Sequence, residues 1–301
     1  MSVNTADMEL AASGRISQAL SHLLSTQKAK VVLAQVIDGL PTIESAKRHN
    51  IEHLPDIENR VDPSQDGINS AKKFLSSLSP EQLSIQPQLA EAYQNSERGS
   101  QEEKIRFLEC VTFLFHIIVV ALHFQTFPES QMTQDKWPRR RPSLPPDPPL
   151  RHIGYYRGRF FPQGKGEVVS YWAESELFGG VIVFERGESG QEACSAWVND
   201  PTRTTIELSN DQLDLFFALG DENPSNSSGK ELVANDFLPF KPAPRAVKLD
   251  LWKKYERKIY RYYWDIHEPH WAPPRDCFPD DGDVAQLIKQ MDALKRGVNV
   301  D

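Results

Sequence analysis

Apolar residues recur at intervals of three and four along the first 127 positions, as Met8, Leu10, Ile16, Leu20, Leu23 and Leu24, then Val32, Leu33, Val36 and Ile37. That period matches the α-helical turn, so each segment presents one apolar stripe to a core. Ser79-Pro-Glu-Gln82 and Ser100-Gln-Glu-Glu103 have the form of capping boxes, in which a serine hydroxyl and a later Glu or Gln satisfy orphan amides. About five helices are predicted between residues 5 and 127.

The last of them, over 103–126, contains FLECVTFLFHIIVVALHF. Glu109, His116 and His123 interrupt it, so no clean run approaches the ~18–20 residues a bilayer needs, and the pattern predicts a buried central helix rather than a membrane span. At 100° per residue, Glu109, Thr112, His116 and His123 fall within an arc of roughly 60°. Such a stripe suits the wall of a cavity in which Glu109, His116 and His123 do acid/base work. It equally suits a row of groups satisfied by solvent, backbone or neighbouring side chains. His116 and His123 stand about 10.5 Å apart along the axis, too far to share a metal ion directly.

Periodicity stops at Pro128. The stretch PESQMTQDKWPRRRPSLPPDPP holds seven prolines, which remove amide donors and fix φ, so residues 128–150 read as an extended, partly polyproline II linker. It separates a helical domain (1–127) from a second one (151–301), and it is the natural surface for a protein partner. Arg139, Arg140 and Arg141 within it suit a phosphate contact, a sorting signal or simple solvation.

Beyond the linker the period becomes two. Segments 153–161, 167–173, 180–186, 193–199 and 202–208 are rich in Val, Ile, Thr and aromatic residues and are joined by short turns. Short connections make antiparallel neighbours, which predicts a five-stranded meander. Ser209-Asn-Asp-Gln212 then caps a short helix ending near Gly220. Residues 221–244 read as a loop, 248–268 as an amphipathic helix and 283–296 as a final helix. The predicted class is α+β: a helical bundle at the amino terminus, then a five-stranded antiparallel meander with flanking helices.

Composition narrows the functional classes. With 301 residues, 39% hydrophobic and 25% charged, the chain has the makeup of a soluble globular protein. A net charge of −8 disfavours nucleic acid and anionic membrane as partners. Cys110, Cys194 and Cys277 are odd in number and widely spaced, which suits neither a disulfide framework nor a zinc ribbon. The opening MSVNTADMEL lacks the basic and apolar parts of a secretory signal, so the chain reads as intracellular, cytoplasmic with the nucleus left open. Asn226-Ser-Ser is a sequon that should then stay unmodified.

No pattern identifies a cofactor: Gly164–Glu167 lacks the spacing of a phosphate-cradling loop, and Gly187–Gly190 is no nucleophile elbow. The densest chemistry is HEPHWAPPRDC, residues 267–277. His267, His270 and Cys277 converge on a metal if the prolines fold the strand back; the two histidines alternatively act as acid and base. In a third reading His267 closes the preceding helix and Trp271 packs with the prolines as a stiff turn. A second constellation is Arg157 and Arg159 beside Tyr155 on the first predicted strand, with Glu174, Glu176 and Glu185-Arg186 nearby. It suits an anionic or planar small molecule, or cross-strand ion pairs on a solvated face.

Two functional expectations follow. The first is an intracellular accessory or interaction protein without a catalytic signature, meeting its partners through residues 128–150 and the aromatic carboxyl-terminal segment. The second is an enzyme that modifies a small organic molecule, using His116, His123, His267 and His270 for proton transfer, with or without a metal. Its site would be a cleft between the helical and sheet parts.

Overall fold

The structure is a computed structural model and describes residues 3–4, 10–51, 55–78, 83–128, 148–156, 161, 163–222, 224 and 232–262. The first half comprises β1 (Val3–Asn4), α1 (Leu10–Ser25), α2 (Gln27–Asp38), α3 (Ile43–Arg48), α4 (Gln65–Ser77), β2 (Ser84–Ile85), α5 (Pro87–Asn95) and α6 (Gln101–Thr126). The second comprises α7 (Lys165–Phe178), β3 (Val181–Glu185), β4 (Ser195–Asn199), β5 (Thr205–Glu207), α8 (Asn210–Ala218), β6 (Lys248–Leu249), α9 (Leu251–Glu256) and β7 (Ile259–Tyr260). The fold is α+β, helical in front and built behind on a five-stranded antiparallel sheet.

Local chemistry sets most helix starts. The Thr26 hydroxyl accepts from the Ala29 amide and separates α2 from α1, and Thr42 and Ser64 cap α3 and α4 in the same way. At α6 the Ser100 hydroxyl accepts from Glu103, whose carboxylate reaches back to the Gly99 amide instead of that of Ser100. Ser209 and Gln212 form the complete reciprocal box at α8. Residues 79–82 lie outside the described residues, and the helix after them begins at Pro87. The helical half also contains one short antiparallel pair, β1 with β2, which the apolar period did not predict.

Helix α6 is long and apolar enough to cross a membrane by length and composition, yet most of it is buried within the protein. It packs against α1, α2, α5, α7 and α8. Phe107, Phe115, Phe178 and Phe216 meet edge to face or tilted around it, and the same apolar cluster continues into Ile182, Phe184, Ala196 and Val198 of the sheet.

The sheet runs β6-β5-β4-β3-β7, antiparallel throughout. Leu249 from one edge strand and Ile259 from the other share a cluster with Trp197 of the central strand, so the sheet is curled. Strands β3, β4 and β5 fall within the predicted segments 180–186, 193–199 and 202–208. The other two strands lie elsewhere. Residues 167–173, predicted as a strand, belong to α7. Of 153–161, the described residues form only an isolated bridge between His152 and Tyr155.

The reason is burial. Helix α7 is covered on all sides, with Val168, Val169, Tyr171 and Trp172 all enclosed, so no polar face remains to reveal a period of 3.6. The predicted helix over 248–268 is corrected as well, up to residue 262. Asp250 caps a helix of only six residues, Lys258 takes a positive φ of 53°, and the chain reverses so that Ile259 and Tyr260 pair with Glu185 and Phe184. Residues 263–301, including the predicted final helix, lie outside the described residues.

The α7–β3 junction is tight. Gly179 ends the helix at φ 91°, and a Cβ on Gly180 would stand 2.5 Å from the Asn199 carbonyl oxygen. Gly180→Ala should therefore separate β3 from β4 and lower stability by about 1–3 kcal/mol, read as a reduced denaturant midpoint at unchanged slope. A midpoint equal to wild type would contradict this packing.

Candidate functional site: the polar seams of helix α7

A helix enclosed on all sides should be apolar, but α7 carries Glu167, Glu174 and Glu176, each buried. Buried carboxylates require partners. Glu167 and Glu174, seven residues apart, lie on one face and meet α6; Glu176 lies on the other side and meets α3.

In the α6 seam, Nδ1 of His116 is 2.6 Å from Oε1 of Glu174. The Arg261 guanidinium grips the same carboxylate with both terminal nitrogens, Nη2 to Oε2 at 2.6 Å, while its Nε donates to the Ile182 carbonyl at 3.1 Å. The Arg261 carbonyl accepts from Nη2 of Arg186 (2.7 Å), and that nitrogen also reaches Oε1 of Glu109 (2.6 Å). Arg106 completes the chain, donating to Oε2 of Glu109 (2.9 Å) and to the Gln191 carbonyl (2.7 Å). One run of charge-assisted bonds thus joins α6, α7, the ends of β3 and β7, and the turn before β4.

The fields are mutually reinforcing. Burial alone would lower the His116 pKa, but the carboxylates of Glu167 and Glu174 outweigh it and raise the pKa above the ordinary value. Burial would raise that of Glu174, but Arg261 and His116 outweigh it and lower it. Burial likewise opposes the charge of Arg261, and Glu174 reverses the effect. Each group favours the charged form of its neighbour.

Nε2 of His116 stands 3.8 Å from Oε2 of Glu167, and neither atom has a hydrogen bond among the described residues. This contact is an ion-pair approach just beyond hydrogen-bond distance. The α3 seam repeats the theme, since Glu176 receives Nη1 of Arg48 (2.6 Å) and Nε2 of His49 (3.0 Å). Burial raises the Glu176 pKa, and His49, Arg48 and Lys28 more than offset it.

The residues singled out by sequence are distributed as follows. Glu109 and His116 belong to one network, joined through Arg186 and Arg261. His123 lies two turns further along α6, against the rings of Phe124 and Phe127 at 5.9 and 5.2 Å. Tyr155 is buried and stacked on Tyr171 at 4.4 Å, with Lys254 donating to its hydroxyl at 3.1 Å, so it faces the core rather than a solvated sheet surface. Glu185 is held by Nε and Nη2 of Arg257 and by the Ser195 hydroxyl.

Arg157, Arg159, His267, His270 and Cys277 lie outside the described residues. Among the described residues, no group of three or more His, Cys, Asp or Glu side chains is arranged to hold a metal. Sequence reasoning missed Glu167, His49, His152 and Arg261. The seven-residue spacing of Glu167 and Glu174 was the available signal, and it is informative only once the segment is read as a helix.

Removing one partner of a buried pair leaves the other charged and alone, so Glu174→Gln should cost about 3–5 kcal/mol. Glu44→Gln, at the exposed end of the Arg48 cluster in the α3 seam, should cost less than about 1 kcal/mol. Because the folded pKa of His116 is raised, its contribution is complete below about pH 6.5 and is lost as pH rises through the folded value. The stability gap between wild type and His116→Gln, followed by denaturation across that range, should narrow with rising pH; a constant gap would contradict the pairing. No protein-family model, curated protein or solved structure matches this chain, so its functional reading rests on residues and geometry alone.

Proposed function

We propose that the chain is an intracellular accessory protein whose body presents the proline-rich segment 128–150 to a protein partner. The supporting observation is a tether at each end of that segment. Phe127 closes α6, its ring set so tightly against Gly39 that a Cβ there would lie 2.8 Å from Cζ. On the far side, Leu150 and His152 are buried. Between these anchors the chain reads Arg139-Arg-Arg-Pro142-Ser-Leu-Pro145, a basic residue followed by two prolines at the spacing that aromatic-lined grooves recognise in polyproline II peptides. Meanwhile Glu109 and His116 are engaged in bonds between elements of the body.

The other reading, histidine acid/base chemistry on a small organic molecule, draws on the His116–Glu167 contact. It is the weaker, because both groups are enclosed and His116 is tied to Glu174.

The test is titration of purified SH3, WW and EVH1 domains with the full chain and with a peptide spanning 136–149. At least one domain should bind in the micromolar range, where 1 μM corresponds to about −8.2 kcal/mol, and Pro142→Ala with Pro145→Ala should abolish binding. Affinities no better than about 1 mM for every domain, or binding indifferent to the double substitution, would contradict the proposal.

A further inference from the structure

Residues 148–156 follow the proline-rich segment and are fixed to the body without a helix or a regular strand. Their order comes from three buried side chains, Leu150, His152 and Tyr155, and from one bridge in which the Tyr155 amide donates to the His152 carbonyl at 3.0 Å. The His152 ring lies at the centre and has no exposed surface. Its Nδ1 accepts the amide of Gly154 at 3.0 Å, and only an unprotonated ring nitrogen can accept. A proton on Nδ1 would set two N–H groups against each other and break the bond that winds the turn.

The surroundings oppose that proton as well. At the end of α3, the His49 ring meets His152 edge to face at 5.7 Å, with Glu176 of α7 and then Arg48 behind it. From α9 comes Lys254, whose Nζ reaches the Tyr155 hydroxyl at 3.1 Å, and the Tyr155 ring lies 5.4 Å from that of His152. The backbone of Asn199 and Asp200, at the end of β4, bonds to the ring and favours its charged form. Burial is the largest effect, and together with His49 and Lys254 it outweighs that backbone and pushes the His152 pKa well below the ordinary value. His116 differs because two carboxylates face it; among the described residues His152 has no carboxylate in ion-pair contact.

His152 therefore takes up a proton only when the turn opens and the ring meets water, where it titrates near pH 6.5. Above that value the closed turn bears no penalty. Below it, each unit of pH favours the open form about tenfold, until the depressed folded value is reached. The direction is opposite to that of His116, whose contribution is lost as pH rises. An irregular segment also opens at less cost than packed helices and strands. We propose that His152 is an acid-sensitive latch on residues 148–156: protonation releases the turn and, with it, the anchor that follows the segment 128–150. Any effect on a partner rests on the function proposed above, whereas the latch itself is read with no partner present.

The experiment is amide hydrogen exchange on the wild-type full chain between about pH 7.5 and about pH 5, each amide referred to its intrinsic rate at the same pH. Protection of the Gly154 and Tyr155 amides should stay level above about pH 6.5 and fall about tenfold per unit below it, and should lie well under the protection of α6 throughout. His152→Asn keeps an acceptor within reach of the amide two residues on and carries no titrating group, so it should remove the pH dependence. Level protection at Gly154 in the wild type, protection equal to that of α6, or a pH dependence that survives His152→Asn would each overturn the proposal. The wild-type profile alone decides the matter where the variant fails to fold.

Discussion

One buried carboxylate ties helix α7 to α6 and to the end of β7. Glu174 sits on a helix with no exposed face and is held by the Arg261 guanidinium and the His116 imidazole. An isolated charge there would be prohibitive, so the helix adopts its position only when α6 supplies the imidazole and the end of β7 supplies the guanidinium. The apolar cluster provides most of the driving force for collapse, and the Glu174 carboxylate adds a directional requirement that apolar contacts lack. Its geometry selects the rotation at which Glu167 and Glu174 face α6 while Glu176 faces His49 and Arg48.

The same logic explains the course of the chain after β6. A six-residue helix and a reversal at Lys258 bring β7 to the far edge of the sheet beside β3. Two backbone pairs alone would hold such a strand weakly. Arg261, immediately after it, adds a side-chain bond to the Ile182 carbonyl and the grip on Glu174, while Arg186 fastens the Arg261 carbonyl. The edge strand is thus secured by charge-assisted bonds that reach into the core.

How much of this was legible in the sequence depended on whether an element kept a solvent-facing side. Helix α8 announced itself through Ser209 and Gln212, α6 through Ser100 and its long apolar stretch, and β3 to β5 through β-branched and aromatic residues between short turns. Helix α7 gave no such sign, because total burial erased its period and its Val, Tyr and Trp residues imitate a strand. On α6 the sequence pointed to the stripe of Glu109 and His116, but the partners that tie these two to other elements, Arg186 and Glu174, come from 77 and 58 residues away, a pairing no local spacing encodes. Arg261 was hidden for the same reason: on sequence alone it is one more charge in a basic, aromatic stretch.

The most direct test of this account is a double-mutant cycle between Glu174 and Arg261 by reversible chemical denaturation, using Glu174→Gln, Arg261→Gln and the double variant. A shared, desolvated ion pair predicts a coupling of about 2–3 kcal/mol, with the double variant far less damaged than the sum of its parts. Additive losses, with coupling below about 0.5 kcal/mol, would mean that α7 and β7 are held in place by apolar packing alone and that the buried carboxylate does not organise the fold.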